Sequence, residues 1–168
     1  MQVTLAGVIP IENERGDEMD RAETVTLFND MCLLAPATLI DPRITWEGAD
    51  DTTASARFTY RVQTIAATLF FNGRGELVNF VSDDRSRSEP GRAFVVRRFS
   101  TPVRDYRDFG PVRLMSFGEA RWLLPEGEFT YGEFHLVEIA YNTGDGGRSR
   151  TRRLPGIASK TQNASRGE

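Results

Sequence analysis

Two periodicities divide the chain. Across residues 20–35 the apolar positions Leu27, Phe28, Met31, Leu34 and Ala35 recur at three- and four-residue spacing, which predicts one amphipathic helix. Asp17, Glu18, Asp20 and Glu23 crowd its start, where carboxylates interact favourably with the helix dipole. Pro36 ends the run by disfavouring helical geometry at Ala35, and residues 37–40 add a short turn. Ahead of the helix, residues 3–11 have the apolar character of a strand already under way, and residues 12–17 that of a charged loop.

From Arg43 the period shortens to two. Residues 44–47 predict a short strand and residues 48–51 a turn. Ala54, Ala56, Phe58 and Tyr60 then alternate with Ser55, Arg57 and Thr59, as in a half-buried strand. Residues 64–71 and 76–82 flank Asn72-Gly73-Arg74-Gly75, whose Asn-Gly pair favours positive φ angles and predicts a hairpin. Residues 82–92, rich in charge, Ser, Pro and Gly, predict a polar loop, and residues 93–100 the next strand. Residues 102–111 suggest an irregular or edge segment, since Pro lacks a ladder donor. Strands follow over 112–117 and 119–124, broken near Gly118. The last runs over 129–141 and has Gly132 as a candidate bulge. Successive strands joined by short turns imply an antiparallel meander.

The fold expected is therefore mainly β with one N-terminal helix: a curved antiparallel sheet or half-open β-barrel, with the helix on its concave side or across an open end. Residues 1–143 form a single β-rich domain whose abrupt opening suggests missing upstream strands. Residues 144–168 read as a disordered tail, with six basic residues against two acidic ones. The expected core holds Val25, Phe28, Met31, Leu34, Trp46, Phe58, Ile65, Leu69, Phe71, Phe80, Val95, Trp122, Phe134 and Ile139.

Composition removes several function classes. With net charge −3 overall and the positive excess in the tail, the body is acidic, so no specific nucleic-acid binding is expected. One Cys and one His leave too few ligands for a zinc site, and no metal or cofactor is expected. Cys32 lies beside the apolar helical face as a small hydrophobe. His135 alternates with Phe134 and Leu136 in a strand, where a solvent-facing or structural imidazole competes with a catalytic base. No segment is long enough to span a membrane, and no basic region precedes a long apolar run, which places the chain as given in the cytoplasm.

What chemistry remains lies on the strands. Asp84 and Glu119 would form an acid/base pair if a curved sheet brought them together, or ion pairs with Arg85 and Arg121 if it did not. Alternatively the concave face holds an apolar small molecule or lipid, with Phe80, Trp122 and Tyr131 as walls and Asp84, Arg85, Glu119 and Arg121 as polar anchors. A structural or protein-interaction domain without a ligand is the third reading.

An ordered series of short motifs adds a resemblance. It runs through Phe80-Val81-Ser82-Asp83-Asp84-Arg85, Ser100-Thr101-Pro102 with Tyr106-Arg107, Gly118-Glu119-Ala120-Arg121-Trp122, Tyr131 and Ile139-Ala140-Tyr141-Asn142. It resembles an uncharacterised bacterial family of unknown function over roughly residues 1–142. Members usually carry Trp where this chain has Phe99, and commonly have a further N-terminal portion. The resemblance implies residues worth testing and no reaction. In architecture it is similar to the half-open barrels of periplasmic lipoprotein carriers, which implies a sheet and helix around an apolar cavity.

Overall fold

The computed structural model describes residues 16–89 and 92–142; the strand expected over 3–11 and the tail 144–168 lie outside them. The chain divides into a main unit, residues 5–139, and a second made of residues 1–4 and 140–168. All the elements described belong to the main unit.

Helix α1 spans Asp17–Leu34, with Asp17, Glu18 and Asp20 in its first turn, and the 3-10 turn η1 covers Pro36–Ile40. The strands are β1 (Ile44–Ala49), β2 (Thr53–Tyr60), β3 (Gln63–Phe71), β4 (Leu77–Glu89), β5 (Arg92–Arg104), β6 (Arg107–Phe109), β7 (Val112–Leu114), β8 (Phe117–Leu124) and β9 (Gly127–His135). Seven of them pair antiparallel in the order β1-β2-β3-β4-β5-β8-β9, while β6 and β7 form a separate hairpin. Among the described residues β1 and β9 remain at the edges, and the sheet is not closed into a barrel. Register shifts in the β1–β2, β3–β4, β4–β5 and β8–β9 pairings mark bulges, which bend strands and strengthen twist. A curved meander with one helix is the fold that the periodicities imply.

Alternation sorts each strand into two faces. Phe58 and Ile65 are opposite one another, as are Leu69 and Phe80, Phe80 and Thr101, and Phe99 and Trp122, so these residues share one face across the sheet. Helix α1 lies on that face across β4 and β3. Phe28 anchors it, stacked on Phe58 with ring centroids 5.1 Å apart and edge-on to Phe80 at 5.9 Å. All three rings are fully buried.

Several local expectations change. Residues 82–89 are strand, not loop: the β4–β5 ladder continues to the Glu89–Arg92 pair, and residues 90–91 lie outside the described residues. Backbone pairing is indifferent to side-chain polarity, and in this stretch small Ser82 and Ser86 are buried while arginine side chains lie across aromatic rings. β5 likewise runs through Pro102 to Arg104. Its pairing with β8 omits Thr101 and Pro102, the point at which a residue without an N–H interrupts a ladder. The break expected near Gly118 falls at Met115 and Ser116, where the Ser116 N–H and hydroxyl both donate to the Asp105 carbonyl at 3.1 and 2.6 Å. β9 stops at His135 because its partner β8 starts at Phe117, opposite it.

In the β3–β4 turn the positive φ lies at Gly75 (75°), not at the Asn-Gly pair. The Asn72 Oδ1 instead accepts the Arg74 and Glu76 N–H groups at 2.9 and 3.1 Å, organising the turn from its first residue. Leu27 and Trp46, expected inside, are 37% and 44% exposed. The buried helical face is centred on Val25, Phe28 and Cys32, and Trp46 stands on edge strand β1, away from the strands that α1 crosses. Phe71, Val95, Phe134 and Ile139 are half-buried.

Two substitutions test this packing. Phe28→Ala removes the ring that joins helix to sheet and is expected to lower unfolding free energy by about 3–5 kcal/mol in urea denaturation. The Phe134 ring lies so close over Gly118 that a Cβ there would overlap it. Gly118→Ala should therefore cost about 1–3 kcal/mol, whereas Gly73→Ala, in open space, should change stability far less.

Candidate functional site

The stretch Ser82–Arg85 organises the helix-bearing face. Between Ser82 and Arg85 the β4–β5 register shifts, so Asp83 and Asp84 bulge out of step with β5. The Ser82 hydroxyl donates to the Ala66 carbonyl at 2.7 Å, and Asp84 Oδ2 accepts the Ala66 N–H at 2.7 Å. Two side chains thus satisfy both polar groups of one β3 residue beyond the last regular β3–β4 pair, Thr68–Val81. Asp84 Oδ1 also pairs with Arg21 of α1, tying the helix to the sheet. Asp83 points elsewhere, into an exposed bidentate pair with Arg98 at 2.8 and 3.0 Å.

After the bulge Arg85 turns onto the aromatic row. Its guanidinium carbon lies 4.2 Å from the centroid of Phe99, 5.2 Å from that of Trp122 and 5.9 Å from that of Tyr131. Trp122 and Tyr131 stack at 5.6 Å, and Phe99 packs against Trp122 at 5.6 Å. Tyr131 reaches this position because it is the extra residue of the β8–β9 bulge, between the pairs Ala120–Gly132 and Arg121–Thr130. Gly132 was the signal for that bulge in the sequence. Arg85 Nη1 donates to the Tyr131 hydroxyl at 2.5 Å, the single hydrogen bond that Arg85 makes among the described residues. A guanidinium carries five N–H donors, so most of its capacity is unspent.

The Arg85 charge also acts on Asp30 of α1. Burial is the dominant influence on its carboxyl and pushes its pKa up to about 6. The Arg85 charge opposes that rise, and Glu23 adds to it. Two further polar atoms near these residues in sequence are buried without a hydrogen-bond partner among the described residues. They are Asn29 Oδ1, next to Asp30 on the helix, and Thr101 Oγ1, two residues from Phe99 on the same face of β5.

Of the residues singled out in the sequence, the structure brings Arg85, Trp122 and Tyr131 together. Phe80 is sealed beneath α1 as core. Asp84 is engaged by Arg21 and Ala66. Glu119 and Arg121 alternate with Ala120 and Trp122 and so occupy the opposite face. There Arg121 donates to Glu119 at 2.8 and 2.7 Å and to Glu128 at 2.8 Å. That pairing holds the Glu119 carboxyl below its usual range, the state of a structural ion rather than an acid. Asp84 and Glu119 therefore do not form an acid/base pair. His135, on that second face, packs edge-on to Phe117 at 5.0 Å.

Sequence reasoning missed Phe99 and Asp30. Phe99 was legible as an aromatic two residues before Thr101, itself level with Phe80. Asp30 carried a fainter sign: a carboxylate between buried Asn29 and Met31 on the helix.

A family model described as a family of unknown function, DUF6544, matches residues 1–134. The chain belongs to that family. No curated protein and no solved structure matches it. The matched span contains every residue of the Arg85 cluster. Among the described residues, no helix is long and apolar enough to cross a membrane, and no group of carboxylate, Cys and His side chains is placed to hold a metal.

The buried carboxyl makes a definite pH signature. An acid whose pKa rises from 3.8 to about 6 on folding opposes folding when ionised, fully above pH 6, and ceases to do so as pH falls below 4. Asp30→Asn should thus stabilise the protein at pH 7–8 by about 1–3 kcal/mol, with the gain shrinking between pH 6 and pH 4. Urea denaturation of both proteins across that window checks it.

Proposed function

We propose that the chain is a binding module for a small amphipathic anion, held on the helix-bearing face at Arg85. The observation that carries this reading is a half-buried guanidinium packed among three aromatic rings with most of its donors unspent. A carboxylate or phosphate ester would take those donors in charge-assisted bonds, which are stronger where aromatic walls keep water away. The half-buried Tyr131 ring, held rigid by stacking on buried Trp122, offers the apolar part of the ligand a surface. A fatty acid or lipid fragment fits this description, and the cytoplasm is the compartment we assign to it. The acid/base reading has no such support, because Asp84 and Glu119 are separately engaged.

A second reading rests on one observation. Trp46 and Phe129, 44% and 50% exposed, lie on β1 and β9, the outer strands of the seven-stranded sheet among the described residues. Aromatic side chains beside open edges favour strand addition by a protein partner.

Titration with dodecanoate separates the two. In a Trp46→Phe background Trp122 is the remaining indole of the chain's two, so its emission reports directly on the cluster. Saturable quenching is expected, weakened about 10–100-fold by Arg85→Met and unchanged by Arg121→Met. A flat titration, or equal binding by the Arg85→Met protein, refutes the reading.

A further inference from the structure

A second hollow lies where α1 gives way to η1. It has a volume of about 200 Å³ and is bordered by the end of α1, by η1, by β3, by the start of β4 and by the segment that carries the β6–β7 hairpin. Its deep walls are Cys32, Leu33, Leu69, Leu77 and Leu114, all buried. The hollow is partly open to solvent, and its volume exceeds the roughly 150 Å³ of an apolar cavity that admits benzene. A hollow of this size at the junction of five segments is room for a molecule.

The chemistry of its lining narrows the occupant. The Tyr106 hydroxyl is spent on the Leu77 carbonyl at 2.9 Å. Glu76 accepts from Asn72 Nδ2 at 2.9 Å and Arg113 Nε at 3.2 Å, and Arg113 also pairs with Asp108 at 3.5 Å. These polar groups of the lining pair with one another or with the backbone, and the rest of the lining is mainly hydrocarbon with one thiol. Burial keeps that thiol, Cys32, in its neutral form. Apart from these already paired groups, nothing in the wall would compensate a sugar, a nucleotide or a charged head for lost water.

We propose that this pocket is a second binding site, distinct from the Arg85 cluster, for a neutral, compact apolar molecule of the size of an alkylbenzene. Its selectivity is by volume and by exclusion of charge. It does not depend on the reading of Arg85, since it shares no lining residue with that cluster.

Toluene is the probe. In ¹H–¹⁵N correlation spectra of the full chain, saturable shifts are expected at Cys32, Leu33, Leu39, Tyr106 and Leu114. The same shifts should persist in Arg85→Met and vanish in Leu39→Phe, where a larger ring at a half-buried lining position occupies the space. Cys32→Met fills the pocket from its inner wall and should act alike, which keeps the test intact if the first variant is unstable. Alkylation of Cys32, the only thiol in the chain, by N-ethylmaleimide should slow at least threefold with toluene present. Shifts absent up to the solubility of toluene, shifts scattered over the surface, or shifts retained in both filled variants would overturn the proposal.

Discussion

The structure depends on how β4 parts from β3. At Ala66 the strand ladder gives way to side chains: the Ser82 hydroxyl covers the carbonyl and the Asp84 carboxylate covers the N–H. This substitution lets the backbone bulge without leaving buried polar groups orphaned, a condition that every interior strand must meet. Three consequences follow from one local exchange. Asp84 is left facing α1 and captures Arg21, Asp83 is turned out to Arg98, and Arg85 arrives on the aromatic row. A short polar run that looks like a loop therefore joins helix, sheet and candidate site.

The helix-bearing face is divided between two kinds of packing. Under α1 it is closed by aromatic contact, with Phe28 set between Phe58 and Phe80. Along β5, β8 and β9 the aromatic rings Phe99, Trp122 and Tyr131 meet arginine side chains. A guanidinium is weakly hydrated and stacks on rings, so it can cover apolar surface while keeping its donors available. Phe99 and Trp122 are themselves buried, so the guanidinium and half-buried Tyr131 form the outer layer of this part of the core. Asp30 stands at the boundary, its ionisation resisted by burial and assisted by Arg85.

Much of the fold was legible because its signals are local. Helical spacing located α1 to within three residues at its start and one at its end, and alternation located β2 and β3. Short turns implied an antiparallel meander, and Gly132 marked the bulge that delivers Tyr131. Of the site, Arg85, Trp122 and Tyr131 were legible as residues. Strand parity alone would also have separated Glu119 from Trp122, three positions apart and so on opposite faces. The stretch 82–89 looks like a loop in sequence because its burial is supplied by distant partners: the Arg85 guanidinium lies over rings from β5, β8 and β9, which no local window contains.

The sequence by itself determined the elements, their antiparallel succession and the chemical inventory, since these follow from period, turn residues and composition. The tertiary structure alone decided which face α1 covers, and hence that Phe80 is core while Trp122 meets Arg85. It alone paired Asp84 with Arg21 and set Asp30 against Arg85. The reason is physical: periodicity records which residues share a side of an element. Where two elements touch, and whether the space between them is filled by a ring or left as a pocket, depends on packing across the whole sheet.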